Sequence, residues 1–191
     1  MRIIAGEFRG RTLKAPKGSN TRPTTDRVRE ALFSAVASAR GGLEGAVVLD
    51  AFAGSGALSF EALSRGAACA HLFERDRGAL AALSENAKAL KLSAAAARIH
   101  RCDIFKNPPL DVRPPFDLVF LDPPYAYGAA DVLGLVAQLA LEGTLAEDAL
   151  IVYEHGAGSN DDVDAAAPEA GFELASRKKY GDTVVDILRR A

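Results

Sequence analysis

The stretch Val47-Val48-Leu49-Asp50-Ala51-Phe52-Ala53-Gly54-Ser55-Gly56 decides the architecture. Consecutive branched apolar residues make a strand buried on both faces, an acid closes it, and two glycines turn the chain into an apolar helical pattern at 56–65. The alternation starts with the strand at 46–50 and continues through strand 69–73, helix 78–91, strand 97–101, strand 116–122, helix 129–141 and strand 149–154. That rhythm predicts a doubly wound, mostly parallel sheet with helices on both faces. Two last strands, 172–179 and 183–189, are separated only by Tyr180-Gly181-Asp182, so they pair antiparallel and bring the sheet to seven strands. The acidic run through Asp161, Asp162 and Asp164 before them carries no helix or strand in this reading.

At 191 residues, 49% hydrophobic and 25% charged, the chain suits one well-packed domain with a modest appendage. Disordered, collagenous and coiled-coil classes are excluded. Cys69 and Cys102 lack CxxC spacing, and His71, His100 and His155 form no HxxxH pair, so neither a disulfide framework nor a metal site is expected. A reducing cytoplasm fits this cysteine usage. The most apolar stretch, Val132 to Ala146, is broken by Gln138 and Glu142, which argues against a membrane span.

Charge is unevenly placed. Residues 1–40 carry nine Lys or Arg against three acids, a net of +6, whereas the remaining 151 residues sum to −8. A basic segment on an acidic body is either an arm that meets a polyanion or a solvated charged face. Residues 2–13 read as two short extended pieces around Gly6 and Gly10, in effect a basic hairpin. A loop marked by Pro16, Gly18, Asn20 and Pro23 follows. Thr24 or Thr25 then caps a helix whose apolar face is Val28, Ala31, Leu32, Ala35 and Val36, and Gly41 and Gly42 end it.

Four constellations carry chemistry. Asp50 with Gly54 and Gly56 lies at the carboxyl end of a strand, where open α/β sheets bind ligands. Ser59 stands where a dinucleotide fingerprint wants a small residue, and a carboxylate at Asp50 would repel phosphate but attract an ammonium. Glu74 ends the next strand, 20 residues after Gly54, where an acid can accept from ribose hydroxyls. Asp103 follows the third strand and can accept from an adenine amine, though a surface acid fits as well. Asp122-Pro123-Pro124-Tyr125 follows the fourth strand. Its prolines hold the backbone rigid with carbonyls available, so Asp122 and the Pro123 carbonyl can hold both hydrogens of a planar amine while Tyr125 stacks on its ring.

The series Asp50-x-Phe52-x-Gly54-x-Gly56, Glu74, Asp103 and Asp122-Pro-Pro-Tyr125 resembles the motifs of class I S-adenosylmethionine-dependent methyltransferases acting on exocyclic amines. Arg2-Ile-Ile-Ala-Gly6, Phe8-Arg-Gly-Arg11 and Arg22-Pro-Thr-Thr-Asp-Arg-Val-Arg-Glu-Ala-Leu-Phe33 are similar to signatures of bacterial small-subunit ribosomal RNA guanine-N2 methyltransferases. The resemblance implies a Rossmann-like class I methyltransferase domain at 41–191 and a basic arm at 1–40 for RNA and active-site cover. It implies that Asp50, Phe52, Gly54, Gly56, Glu74, Asp103 and Thr24 bind S-adenosyl-L-methionine. Asp122, Pro123, Pro124 and Tyr125 would hold a guanine of 16S rRNA, with Arg9, Arg11, Arg22 and Arg27 on the RNA. The expected enzyme is a metal-free cytoplasmic monomer acting on an assembled or assembling small ribosomal subunit. Two other readings stand beside it: an adenine-N6 methyltransferase of DNA or RNA, and a non-catalytic RNA-binding assembly protein.

Overall fold

All four residues of strand β1, Val47–Asp50, are buried, as a strand covered on both faces requires. The computed structural model describes residues 1–16, 26–124 and 126–191. They divide into two compact units, Met1–Asp103 and Ile104–Ala191.

In the first unit, helix α1 (Asp26–Arg40) precedes β1, which is followed by α2 (Ala57–Ser64), β2 (Cys69–Phe73), α3 (Arg77–Ala89) and β3 (Ala97–His100). β2 lies between β1 and β3 and is parallel to both, pairing Asp50 with Leu72 and Phe73 with His100. The second unit holds β4 (Phe116–Leu121), α4 (Ala129–Leu141), β5 (Leu145–Gly156), α5 (Asn160–Glu169), β6 (Phe172–Tyr180) and β7 (Thr183–Arg190). β4 and β5 are parallel, whereas β7 is antiparallel to both β5 and β6. The strand order of the seven-stranded sheet is β3-β2-β1-β4-β5-β7-β6. This is the mostly parallel sheet with a terminal antiparallel hairpin expected from the sequence. Among the described residues, no helix is long and apolar enough to cross a membrane.

Three elements differ from expectation. The acidic stretch before β6 is helical: α5 buries Val163, Ala166 and Ala167, an i, i+3, i+4 stripe too rich in alanine to stand out. β5 begins at Leu145 rather than 149, because Leu145 pairs with Phe116 before the register shifts and Glu147 and Asp148 face solvent. Helix α1 buries Arg29, Leu32, Phe33 and Val36, leaving the expected Val28, Ala31 and Ala35 only half-buried. Arg29 can occupy that face because its guanidinium donates to the Arg2 carbonyl at 2.5 Å and to Asp26 at 2.8 Å. Its cap, expected at Thr24 or Thr25, lies outside the described residues.

The N-terminal hairpin closes only at its ends. Arg2 bridges Thr12, Ile3 N–H donates to the Arg11 carbonyl and Leu13 N–H to the Met1 carbonyl, both at 2.9 Å, while Ile3 and Leu13 bury their side chains. Its middle is fastened to α2. The buried Glu61 carboxylate accepts from Ile4 N–H at 2.7 Å and Ala5 N–H at 3.0 Å, and Ser64 Oγ accepts from Phe8 N–H at 2.9 Å. Gly6, at φ 82°, lies so close to α2 that an added Cβ would sit 1.7 Å from the Ser64 carbonyl oxygen. Gly6→Ala is therefore expected to lift the arm. Stability should fall by more than about 1 kcal/mol in denaturant titration, with faster hydrogen exchange at Ile3, Gly10 and Leu13. Unchanged exchange would show that the arm tolerates the side chain.

Candidate active site

β1 delivers its carboxylate into a closed environment. Asp50 is 2% exposed, and the buried Ser59, one turn into α2, donates its hydroxyl to Asp50 Oδ2 at 2.7 Å. Ser59, which departs from a dinucleotide fingerprint, thus has a specific partner. Burial pushes the Asp50 carboxyl up to about 7; the Ser59 hydrogen bond opposes that rise, and the nearby Glu74 charge adds to it. Such a carboxyl favours a cationic neighbour.

The turn after β1 is shaped by its glycines. Gly56 has φ 82°, and a Cβ there would meet Phe60 at 2.3 Å and Leu83 at 2.6 Å. Gly54, at φ 55°, has no atom within 4 Å of a would-be Cβ, so open space lies before its backbone. A ligand can approach there. Glu74, at the end of β2, fastens the turn: its Oε2 accepts from Gly54 N–H at 2.8 Å, and its Oε1 accepts from the N–H groups of Arg75 and Asp76, both at 2.7 Å. A carboxylate has about four acceptor positions, which leaves roughly one for a hydroxyl. Asp76 is the N-cap of α3, accepting from Ala79 N–H at 2.8 Å. Asp103 accepts from Arg75 at 3.0 Å.

Asp50, Phe52, Gly54, Gly56 and Glu74 are thus gathered around one turn, with Asp103 joined to the end of β2 through Arg75. The residues suit an adenosyl amino acid: an acid for an ammonium, an open glycine backbone and an acceptor for a ribose hydroxyl. In the second unit Asp122 and Pro124 are exposed and Pro123 half-buried immediately after β4. Tyr127 N–H donates to the Pro124 carbonyl at 3.1 Å, closing the turn. Arg9 and Arg11 are exposed on the arm and Arg27 on α1. Thr24, Arg22 and Tyr125 lie outside the described residues. Among the described residues no group of acids, histidines and cysteines is placed to hold a metal.

Sequence reasoning overlooked several residues that shape these surroundings. Glu61 and Ser64 hold the arm, and Asn86 of α3 bonds both Lys14 and Ser55. Their signal was a polar residue on a buried helical face, as with Asn86 three positions after Leu83. Tyr127, whose ring lies 4.8 Å from that of Phe105, supplies an aromatic beside the proline turn.

A parallel sheet finished by a reversed hairpin, with an acid and a glycine turn after its first strand, is the build of a class I methyltransferase. The structure described as the putative methyltransferase yhhF from Escherichia coli aligns with a TM-score of 0.78 and 36% identity, covering 100% of this chain and 97% of that one. The chain belongs to the family described as Conserved hypothetical protein 95, which matches residues 1–189. Its relatives include the putative rRNA methyltransferase YlbH of Bacillus subtilis (strain 168), 36% identical across 100% of this chain and 99% of that protein. Ribosomal RNA small subunit methyltransferase D of Escherichia coli (strain K12) is 42% identical across 81% of this chain and 74% of that protein.

Asp50 also sets a pH dependence. Its value of about 7 in the fold lies above the ordinary 3.8, so between those values the native state holds more protons than the unfolded chain and stability falls as pH rises. His71 acts in the opposite direction. Burial, aided by His100 and Arg98, lowers it from 6.5 to about 4, so its contribution is present above 6.5 and lost as pH falls toward 4. Asp50→Asn removes only the first effect. The variant and the parent should match near pH 4 and diverge toward pH 7, the variant being more stable by a few kcal/mol, on the order expected for such a shift. Parallel profiles in denaturant titration would contradict a proton-binding Asp50.

Proposed function

We propose that this chain transfers a methyl group from S-adenosyl-L-methionine to the exocyclic N2 amine of a guanine in 16S rRNA. The observation that carries the cofactor reading is the buried Asp50 carboxyl beside the open Gly54 turn that Glu74 fastens. The RNA reading is supported by relatives named as rRNA methyltransferases and by the exposed arginines of the arm. Guanine N2 rests on the resemblance of the segment Arg22 to Phe33. Asp50 would hold the cofactor's ammonium, the backbone at Phe52, Gly54 and Gly56 its methionine portion, Glu74 a ribose hydroxyl and Asp103 its adenine. Thr24 would close over it from the arm, residues 1–40, onto the catalytic domain, residues 41–191.

The bound cofactor supplies a methyl group already activated by its sulfonium. The protein's task is positioning and exclusion of water. Asp122 and the Pro123 carbonyl accept the two hydrogens of the amine, which aligns its lone pair and stabilises the positive charge developing on nitrogen. Pro124 keeps this backbone rigid, and Tyr125 stacks on the base. Asp122 serves as an orienting acceptor, because the amine becomes acidic only once it carries the methyl group. Arg9, Arg11, Arg22 and Arg27 contact phosphates. A 40-residue arm reaches only a short stretch of RNA, so the shape of an assembled or assembling small subunit contributes to target choice. In this reading the enzyme is a cytoplasmic monomer.

Labelled methyl transfer to naked RNA and to small subunits, followed by mass spectrometry of the nucleosides, tests the whole reading. N2-methylguanine is expected, with faster transfer to subunits. N6-methyladenine would instead identify an adenine enzyme, and no transfer together with RNA binding an assembly protein. Glu74→Ala should weaken cofactor binding by about 1–3 kcal/mol in calorimetry. Asp122→Ala should abolish turnover with cofactor affinity retained; substantial methylation by it would remove Asp122 from the reaction. Replacing Arg9 and Arg11 by Ala should weaken RNA binding and make its salt dependence shallower. An unaltered slope would mark those arginines as bystanders.

A further inference from the structure

Asn86 is 2% exposed on the inner face of α3, and its amide is shared between two segments far apart in sequence. Oδ1 accepts from Lys14 N–H at 2.8 Å, while Nδ2 donates to the Lys14 carbonyl and to the Ser55 carbonyl, each at 3.0 Å. Lys14 lies just beyond the Arg2–Thr12 bridge that closes the arm. Ser55 is the middle residue of the glycine turn. The turn meets the arm again where Ser55 Oγ lies 3.6 Å from Met1 Sδ.

An amide group is planar, with its donors and acceptor at fixed angles. If Lys14 moves and the amide swings after it, the Ser55 bond opens; if the turn moves and the amide follows, the bonds to Lys14 open. Either change leaves a polar group unpaired in a place where water does not easily replace the partner. The two segments therefore hold their positions together.

We propose that Asn86 is a positioning residue that couples the glycine turn to the basic arm, so that a ligand at either one strengthens binding at the other. This rests on the reading of the turn as the cofactor site and the arm as an RNA contact. A cofactor that orders the turn through Gly54 and Ser55 also orders Lys14 through the shared amide, and RNA then meets an arm that has already lost its freedom. Linkage makes the effect reciprocal.

The test is the affinity for small-subunit ribosomal RNA with and without saturating S-adenosylhomocysteine, which fills the cofactor site and transfers nothing. In the parent protein the cofactor product should tighten RNA binding by about tenfold, within the range common for coupled sites. Asn86→Asp keeps the size and the acceptor but loses both N–H donors, and the effect should fall below about twofold. Lys14→Pro removes the N–H accepted by Asn86 from the arm side, leaves α3 unaltered and should give the same loss, so it decides the matter if the first variant folds poorly. Glu85→Ala, which removes the exposed ion pair to Lys14 and leaves Asn86 in place, should retain the full effect.

A merely structural Asn86 would weaken both ligands and leave the ratio intact. That outcome, or a parent protein whose RNA affinity ignores the cofactor product, overturns the proposal. A parent that binds neither ligand refutes the functional reading itself, a failure readily told apart from the absence of coupling.

Discussion

The first unit is organised around the missing side chain of Gly56. With φ at 82°, and side-chain atoms of Phe60 and Leu83 at 2.3 and 2.6 Å from an added Cβ, any other residue here is strained and must displace its neighbours. The close seating lets the turn at 51–56 lead straight from β1 into α2. Ser59 is thereby brought to Asp50, and Glu61 and Ser64 to the N-terminal arm, all within two turns of one short helix. Local backbone permissiveness at one residue thus places both the buried acid and the platform for the arm.

That platform is unusual in being polar. α2 buries Glu61 completely, and Arg65 donates to the same carboxylate from one turn along at 2.7 Å while its guanidinium also lies over the Phe33 ring. Removing a carboxylate from water is tolerated when charge-assisted hydrogen bonds replace the solvent. Asp186 of β7 shows the same logic in the second unit. Burial opposes its ionisation, but hydrogen bonds from Arg177 and His155 outweigh that and hold its carboxyl below the ordinary range. Arg177 also reaches Asp164 of α5 at 2.7 Å, so the terminal hairpin is joined to its helix by an ion pair as well as by packing. Asp50 differs from both: burial outweighs its hydrogen bonds from the Ser59 hydroxyl and the Ser59 and Phe52 backbone, and the Glu74 charge adds to the rise that takes its carboxyl up to about 7.

The sheet was legible because its signals are long and local. Apolar runs closed by Asp50, Glu74 and Asp122 locate strand ends, and a turn as short as Tyr180-Gly181-Asp182 leaves no topology but a hairpin. Elements whose burial is modest were not legible. α5 presents alanines rather than large apolar residues, and β5 starts with a bulge that hides its pairing with Phe116. In α1 the inner face was misassigned because Arg29 scores as a surface residue; its burial depends on the Arg2 carbonyl, 27 positions away. Glu74 was recognisable at its strand end, whereas its hold on Gly54 depends on the fold. Positions of acids follow from periodicity, but their partners follow from tertiary structure.

Attaching the arm by its main chain separates anchoring from charge. Ile4, Ala5, Glu7, Phe8 and Lys14 make bonds to α2 and α3 through backbone atoms, so this attachment consumes neither the Arg9 nor the Arg11 side chain. Arg9 and Arg11 stay exposed, and among the described residues neither forms an ion pair. The arm's exposed pairs, Arg2 with Asp26 and Lys14 with Glu85, are of the surface kind that contributes about 0–1 kcal/mol. Such pairs are readily exchanged for phosphates, since releasing a solvated carboxylate costs little and phosphate contact frees condensed counterions. A flexible basic tail would lose conformational entropy on meeting a polyanion. A hairpin held at Ile4, Phe8 and Lys14 by Glu61, Ser64 and Asn86 has less of that freedom left to lose, so Arg9 and Arg11 can act on a partner at a smaller ordering penalty.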